Sequence, residues 1–281
     1  MRVKTGIFGL DELLGSGFIK NSVNIVLGST GTGKTIFALQ FLLKGLEEGE
    51  KGVFISFDMD EHSVIGIAES IGWSEMKDYA KEGLLTVRKF YAEDISYITH
   101  DLLTFINSEI MGDTRVAIDS FTPLIVSLGY EVRNDINWFF SKLREVCTSV
   151  ITLEEPLDGN LSLPCVSVPL FLGDTVIHLK NIGYGEAFNR TIRVIKHRGS
   201  WHAEGVFPYR IIDGFGIYVE SADYAKQYEE LDLGTLLNEL KVDKEKISKN
   251  VRRRLERLAK SKISDKKSLI TEILRYMRII E

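Results

Sequence analysis

The chain of 281 residues has 44% apolar and 27% charged residues, a composition that excludes a wholly disordered or collagen-like protein. Its length fits one large α/β domain with a small extension. The charge is uneven, because residues 241–281 carry 14 basic and 6 acidic residues, a net charge of +8, whereas residues 1–240 carry a net charge of −13. The acidic body and the basic tail therefore need separate explanations.

Two features predict the compartment. Cys147 and Cys165 are too few for a disulfide framework, which favours a reducing environment. No apolar core of a secretion signal follows the N-terminus, and no run approaches the roughly 20 apolar residues of a membrane span. We therefore expect a soluble, cytoplasmic protein without a membrane segment.

Apolar runs alternate with helical patterns through the first two-thirds of the chain. Strands are predicted at 23–27, 53–57, 85–90, 115–118, 149–153 and 174–179. Helices are predicted between them at 35–48, 63–71, 95–109 and 134–147. This alternation predicts a central, mostly parallel sheet flanked by helices.

The pattern changes in the last third of the chain. Strands without intervening helices are predicted at 191–196, 209–212 and 216–219, which favours antiparallel strands added to one edge of the sheet. Residues 155–172 hold three of the five prolines and no Lys or Arg, and they are predicted to form a long loop. From about residue 222 apolar stripes at helical spacing predict a helical extension. The predicted division is thus a sheet domain at 1–221 and a basic helical extension at 222–281.

The strongest motif follows the first strand and has the form G-x-x-x-x-G-K-S/T. In such a phosphate loop the glycines let backbone N–H groups turn toward phosphate oxygens, and the following helix N-terminus adds favourable partial charge. The lysine reaches the β- and γ-phosphates, and the last hydroxyl binds Mg²⁺. The residues predicted to bind the nucleotide are Gly28, Ser29, Thr30, Gly31, Thr32, Gly33, Lys34 and Thr35.

A second acidic position supports this interpretation. The apolar strand Arg115–Ile118 ends in Asp119, which is the Walker B form. Many strands end in Asp at a turn, so this signal is weak alone and gains weight from the phosphate loop. Asp119 is predicted to hold Mg²⁺ together with Thr35.

These motifs resemble the RecA superfamily of P-loop NTPases, and its KaiC-like branch in particular. The resemblance extends over residues 3–219 in the expected order, and it includes Thr5–Asp11 before the phosphate loop and Lys196–His202 after the sheet strands. It implies a RecA-like core that binds ATP with Mg²⁺. It also implies assembly side by side, commonly into hexameric rings, with a nucleotide at each subunit boundary.

The resemblance assigns roles to the segment at 196–202. It implies that Arg198 acts in trans as an arginine finger on the neighbouring subunit's nucleotide, with Lys196 and His202 assisting. Residues two apart on a strand project from one face, which suits a shared target for Lys196 and Arg198. The alternative is that this is an ordinary solvated strand face.

The sequence departs from the family at two places. Relatives often carry Glu-Glu after the second core strand, where this chain has Asp58-Met59. Asp58 is therefore the candidate catalytic carboxylate, and hydrolysis is expected to be slow, with Asp60 or Glu61 as substitutes. Asn21 also replaces a turn glycine, and asparagine tolerates left-handed backbone angles.

Three functions remain open at this stage. The first is an ATPase whose slow hydrolysis at subunit interfaces drives a conformational or partner-binding switch. The second is an ATP-binding scaffold for a protein partner, without turnover. The third is a DNA repair or recombination ATPase, which the acidic body disfavours, since phosphate neutralisation dominates nucleic-acid affinity. Nucleic acid is thus expected only through the basic tail 241–281, which could equally be solvated.

Overall fold

A computed structural model describes residues 1–91, 95–110, 112–127, 132–183, 190–220, 231–240, 242, 247, 249–260, 266–277 and 279. The chain divides into two compact units, Met1–Ser221 and Ala222–Glu281. The first contains the sheet and the phosphate loop. The predicted helical start at 222 lies outside the described residues.

The first unit is built on a nine-stranded sheet. Its strands are β3 Val23–Gly28, β4 Lys51–Ser56, β5 Leu85–Lys89, β6 Thr114–Asp119, β7 Thr148–Glu154, β8 Thr175–Asn181, β9 Arg190–His197, β10 Phe207–Ile212 and β11 Gly216–Val219. Their order across the sheet is β11-β10-β9-β8-β3-β7-β6-β4-β5. The two strands β1 Arg2–Val3 and β2 Phe18–Ile19 form a separate antiparallel pair. The six strands from β8 to β5 run parallel, as the alternating pattern predicts.

The helices of this unit flank the sheet. They are α1 Leu10–Leu13, α2 Lys34–Glu47, α3 Glu61–Ser70, α4 Glu75–Lys81, α5 Ile95–Glu109, α6 Thr122–Ser127, α7 Val132–Val146 and α8 Pro164–Leu172. Strands β3 and β6 are buried along their whole length, because helices cover the parallel strands and leave no residue of either strand to solvent. The predicted α/β class with a mostly parallel sheet is therefore confirmed.

The edge of the sheet beyond β8 is antiparallel, as predicted. β9 pairs with β8, β10 with β9, and β11 with β10. The register shifts between Val176 and Ile177, where β9 places an extra residue. Strand β9 ends at His197, so the expectation that Arg198 lies on the strand with Lys196 is wrong. Arg198 instead begins the following turn, and its backbone N–H donates to the carbonyl of Asp174 at 2.9 Å.

The prediction of a loop across 155–172 is also wrong in its second half. Residues Pro164–Leu172 form helix α8, with proline in its first turn and Pro169 inside it. Proline is favoured in a first helical turn because its missing N–H has no intrahelical acceptor there. Charged residues are missing from this helix, so its solvent side gives no polar periodicity for a sequence pattern to detect.

A buried arginine joins the start of β6 to the end of α2 and to the N-terminal segment. Arg115 is 1% exposed, and its guanidinium donates to Glu48, to both carboxylate oxygens of Glu50 and to the carbonyls of Lys4 and Phe41. A buried charge is tolerated only where its donors are satisfied. This network therefore fixes the Walker B strand against the helix of the phosphate loop.

The turn before β3 uses the predicted left-handed position. Asn21 has φ of 60°, an angle that asparagine adopts more readily than most residues. Its backbone N–H donates to the hydroxyl of Thr148 at 2.8 Å. Asparagine thus adopts the left-handed backbone angle of this turn, as predicted.

The second unit has a core of its own. The helices Leu233–Glu239, Lys249–Ala259 and Lys266–Tyr276 bury apolar side chains together. On the middle helix Leu255 and Ala259 are buried, whereas Arg252 and Arg253 are exposed. The predicted apolar stripe therefore faces this core, and the arginines with described side chains face solvent.

Candidate functional site: a phosphate loop and a magnesium centre

The phosphate loop connects the carboxyl end of β3 to the N-terminus of α2. Gly31 and Gly33 have φ of 79° and 89°, a left-handed backbone that favours glycine. A side chain at Gly28 would approach the Thr32 hydroxyl to 2.6 Å and the Leu179 carbonyl to 2.8 Å. The glycines of the motif are therefore required by the loop's conformation.

Contacts within the loop hold Lys34 over it. The Lys34 ammonium donates to the Ser29 carbonyl at 3.0 Å, and the Thr32 hydroxyl donates to the same carbonyl at 2.8 Å. The Tyr209 hydroxyl donates to the Thr32 carbonyl, which ties the loop to strand β10. Burial lowers the pKa of Lys34, and the nearby carboxylate of Asp119 opposes that shift. The loop thus presents an ammonium group that is poorly solvated and suited to phosphate.

The two predicted magnesium ligands meet beside this lysine. The Thr35 hydroxyl donates to one oxygen of Asp119 at 2.7 Å, and the Thr152 hydroxyl donates to the other at 2.5 Å. Burial raises the pKa of Asp119, because its charged form is poorly hydrated. A hydroxyl and a buried carboxylate are oxygen ligands of the kind that Mg²⁺ takes alongside phosphates, so these residues fit the ion. The peptide bond that follows Asp119 is cis.

An open cavity of about 490 Å³ adjoins the loop and the two ligands. Asp58 and Met59 enter it from the end of β4. Asp60 instead caps helix α3, since its carboxylate accepts from the Ser63 N–H at 2.9 Å and from the Ser63 hydroxyl at 2.6 Å. Neither Asp60 nor Glu61 is among the described residues that line the cavity.

Two cavity residues were missed by the sequence analysis. Glu154 is the last residue of the buried strand β7, and Arg190 is the first residue of β9. The Arg190 Nε is buried and has no hydrogen-bond acceptor among the described residues, so it is a free donor that an anionic ligand would satisfy. An acidic residue at the end of an apolar parallel strand was a usable signal for Glu154. No sequence signal marked Arg190 as a binding residue, because the pattern of its strand predicted only a strand.

Lys196, Arg198 and His202 are not among the described residues that line this cavity. Lys196 lies opposite Val176 on β8, whereas Gly28 lies opposite Leu179 on the same strand. Because strands rise about 3.3 Å per residue, Lys196 lies roughly 10 Å, and Arg198 roughly 15 Å, before the loop along the strand direction. The structure therefore places Lys196 and Arg198 toward the opposite end of the strands from their own phosphate loop.

At that end of the strands three cations share the last carbonyls of helix α8. The Lys196 ammonium donates to the carbonyls of Leu170 and Phe171, and Arg198 donates to the Phe171 carbonyl at 2.9 Å. Arg144 donates to the next carbonyl, that of Leu172, at 2.7 Å. Burial, with the nearby Arg198 charge, lowers the pKa of Lys196 to about 8. We call this arrangement the α8 carbonyl cluster.

The third predicted residue of the segment lies apart from this cluster. His202 is half-buried in the irregular segment after the turn that follows β9, and its Nδ1 is 3.2 Å from the Ala203 carbonyl. His197, which separates the two cations in sequence, is buried instead, with Nδ1 at 2.9 Å from the Thr175 hydroxyl and Nε2 at 2.8 Å from Arg2. Burial lowers the pKa of His197 to about 4. The neutral imidazole of His197 therefore connects the segment at 196–202 to Thr175 on β8 and to Arg2.

A phosphate loop, a Walker B carboxylate and a mostly parallel sheet define a P-loop protein with a RecA-like core. The model of the KaiC ATPase family matches residues 3–224, and the chain belongs to that family. It is 29% identical over 233 residues to the circadian clock protein KaiC3 of Synechocystis and 30% identical over 218 residues to the circadian clock oscillator protein KaiC of Parasynechococcus marenigrum.

These matches cover 78% and 74% of this chain but only 45% and 43% of the two relatives. The chain thus spans less than half the length of the curated relatives it matches. In the part of the chain that the structure describes, no helix is long and apolar enough to cross a membrane.

Proposed function

We propose that this protein binds ATP with Mg²⁺ and hydrolyses it slowly, so that the nucleotide state switches its conformation or its binding of a partner. The observation that carries this proposal is the convergence of Lys34, Thr35 and Asp119 beside the glycine loop. Mg²⁺ supplies charge neutralisation at the phosphates when bound. Lys34 holds the phosphates, Thr35 and Asp119 hold the ion, and the free donor of Arg190 adds a further contact for the nucleotide.

We propose further that the site is completed by a second copy of the chain, as the hexameric rings implied by the family resemblance would provide. The α8 carbonyl cluster supports this, because Lys196 and Arg198 lie too far from their own loop to contact its phosphates. Phe171, at the same place, is 65% exposed, so an apolar side chain there is available for contact with a neighbouring copy. In a head-to-tail ring each cluster would face the neighbour's cavity.

Asp58 is the carboxylate proposed to orient the attacking water. Its side chain is one methylene shorter than that of glutamate, which supports slow turnover. It lines the cavity from the end of β4, and the Lys89 ammonium donates to its carbonyl at 2.9 Å. A slow ATPase suits a switch better than a motor. The small number of cysteines, Cys147 and Cys165 alone in 281 residues, supports a cytoplasmic location.

One pair of measurements tests this proposal. ATP turnover is followed with and without Mg²⁺, and the mass of the protein in solution is measured with ATP, with ADP and without nucleotide. We expect Mg²⁺-dependent release of phosphate and a larger assembly with ATP. A protein that stays monomeric with every nucleotide would contradict the shared site.

Replacing Asp58 tests its assignment. We expect Asp58→Asn to lower turnover by about 100-fold or more, the usual contribution of a general base, while ATP still binds. Asp78→Asn is the matched control, since Asp78 is exposed on helix α4, away from the cavity, and pairs with Lys81. Equal turnover of the two variants would remove Asp58 from the mechanism.

The competing hypothesis is that the protein is an ATP-binding scaffold. Met59 supports it, because a thioether cannot accept the proton that a second glutamate would take. Tight ATP binding and nucleotide-dependent assembly without phosphate release would favour this function over the switch driven by hydrolysis.

A second candidate function is nucleic-acid binding by the helix Lys249–Ala259. It is favoured by the exposure of Arg252 and Arg253 on a helix whose apolar side is already buried. Phosphate contacts of this kind weaken steeply with salt. If the protein does not bind DNA at low salt, this candidate function is excluded.

A further inference from the structure

A third carboxylate faces the cavity from a strand that lies between the phosphate loop and the magnesium ligand. Strand β7 pairs with β3 on one side and β6 on the other, and Glu154 lies opposite Gly28, the first residue of the loop. Thr152, two residues earlier, donates to Asp119. Because alternate residues of a strand share a face, Glu154 continues the face that holds the magnesium ligand.

The backbone around Glu154 is fixed from both sides. Its N–H donates to the Thr122 hydroxyl at 2.9 Å, in the helix that follows the Walker B strand. The next N–H, that of Glu155, donates to the Gly28 carbonyl at 3.1 Å. The position of Glu154 is therefore set by the two elements that bind the nucleotide and the metal.

The neighbouring glutamate turns the other way. Glu155 is paired with His178 Nε2 at 3.0 Å and lies 4.0 Å from the Lys180 ammonium. Glu154, in contrast, is exposed in the cavity, and within the described ranges its carboxylate has no hydrogen-bond or ion-pair partner. Burial lowers the pKa of Lys34, the phosphate-binding lysine, and the charges of Asp119, Glu154 and Glu155 each oppose that shift. The Glu154 carboxylate is therefore available to accept a proton beside that lysine.

The sheet order explains what this carboxylate can do. Asp119 stands between two acidic side chains, with Glu154 one strand away toward the phosphate loop and Asp58 one strand away on the far side. Strands lie about 4.8 Å apart, so the terminal phosphate of a bound nucleotide would have both carboxylates near it. Glu154 also reaches one methylene further than Asp58.

We propose that Glu154 is a second catalytic carboxylate, which replaces the glutamate that Met59 has displaced and orients the attacking water together with Asp58. This inference rests on the ATP hydrolysis proposed above. The water oxygen bonds to the γ-phosphorus while the bond from that phosphorus to the β–γ bridging oxygen breaks. Glu154 accepts the water's proton and returns it to solvent, and ADP and phosphate leave.

The test compares Glu154→Gln with Glu155→Gln. Both remove one negative charge from adjacent positions, but only the first removes a group from the cavity. We expect Glu154→Gln to lower ATP turnover at least about 10-fold, and Glu155→Gln to change it less than about 3-fold. Nucleotide binding by each variant shows that it is folded.

A binding measurement gives a second readout that does not need turnover. Because Glu154 repels the terminal phosphate, Glu154→Gln is expected to raise the affinity for Mg·ATPγS about 5-fold while leaving the affinity for Mg·ADP unchanged. Glu155→Gln is expected to leave the ratio of the two affinities as in the natural protein.

The outcomes separate the two proposals. A natural protein that binds ATP but releases no phosphate would contradict the proposed hydrolysis and the catalytic role with it, and the affinity ratio would then decide only whether Glu154 faces the terminal phosphate. Normal turnover by Glu154→Gln in a protein that hydrolyses ATP would overturn the Glu154 assignment alone. An unchanged affinity ratio would do the same.

Discussion

Replacing Lys34 with alanine should lower the affinity for ATP by about 100-fold or more, since charge-assisted hydrogen bonds to two phosphate groups are lost. The loss should be larger than for an exposed lysine, because burial already lowers the pKa of Lys34 and little water competes with the phosphates. Equilibrium binding of a fluorescent ATP analogue with Mg²⁺ measures the change. Turnover should disappear with binding.

The matched control for this prediction is Lys44→Ala. Lys44 lies on the same helix α2 but pairs with Glu47 and Glu48 at its far end, away from the loop. Its removal should leave ATP affinity within about 2-fold, because exposed ion pairs contribute little energy. If the two variants bind ATP alike, the phosphate-loop assignment is wrong.

Replacing Arg198 with alanine should lower turnover at least about 100-fold while nucleotide binding stays near normal, as expected for a group that stabilises transition-state charge. Arg193→Ala is the control, since Arg193 is exposed on strand β9, opposite His178 and before the turn that holds Arg198. Normal hydrolysis by Arg198→Ala would contradict the arginine finger.

Mixing two inactive variants decides whether Arg198 acts on a neighbouring copy. Lys34→Ala subunits cannot bind ATP but retain Arg198, and Arg198→Ala subunits bind ATP but lack the finger. In a randomly mixed head-to-tail ring at equal amounts, roughly a quarter of the sites would combine an intact loop with an intact neighbouring arginine. We therefore expect turnover to return on mixing. Continued inactivity of mixed rings would place the function of Arg198 within its own subunit.

The sequence predicted well those parts of the protein that depend on local pattern. The phosphate loop was recognisable because glycine at 31 and 33 is demanded by backbone angles within the loop itself. The parallel strands were recognisable because helices bury both of their faces, which leaves runs of apolar residues. Asn21 also behaved as predicted, since the relevant property is its own backbone preference.

The features that escaped prediction depend on long-range placement. Helix α8 lacks charges, so no polar periodicity marks it, and its prolines favoured a loop. Arg198 lies beyond the end of β9, where its backbone N–H donates to the carbonyl of Asp174, a residue distant in sequence. The sequence offered an acidic residue at the end of an apolar strand for Glu154, but its place between the loop and Asp119 depends on the order of strands in the sheet.

The α8 carbonyl cluster has a consequence for assembly. Before a neighbour arrives, Lys196 and Arg198 already have hydrogen-bond acceptors, so entering a neighbour's site means exchanging carbonyl oxygens for phosphate oxygens. The number of hydrogen bonds changes little in such an exchange, and its driving force is mainly the charge of the incoming acceptor. Triphosphate carries more charge than diphosphate, so subunit cohesion would follow the state of the nucleotide and would reverse when phosphate leaves.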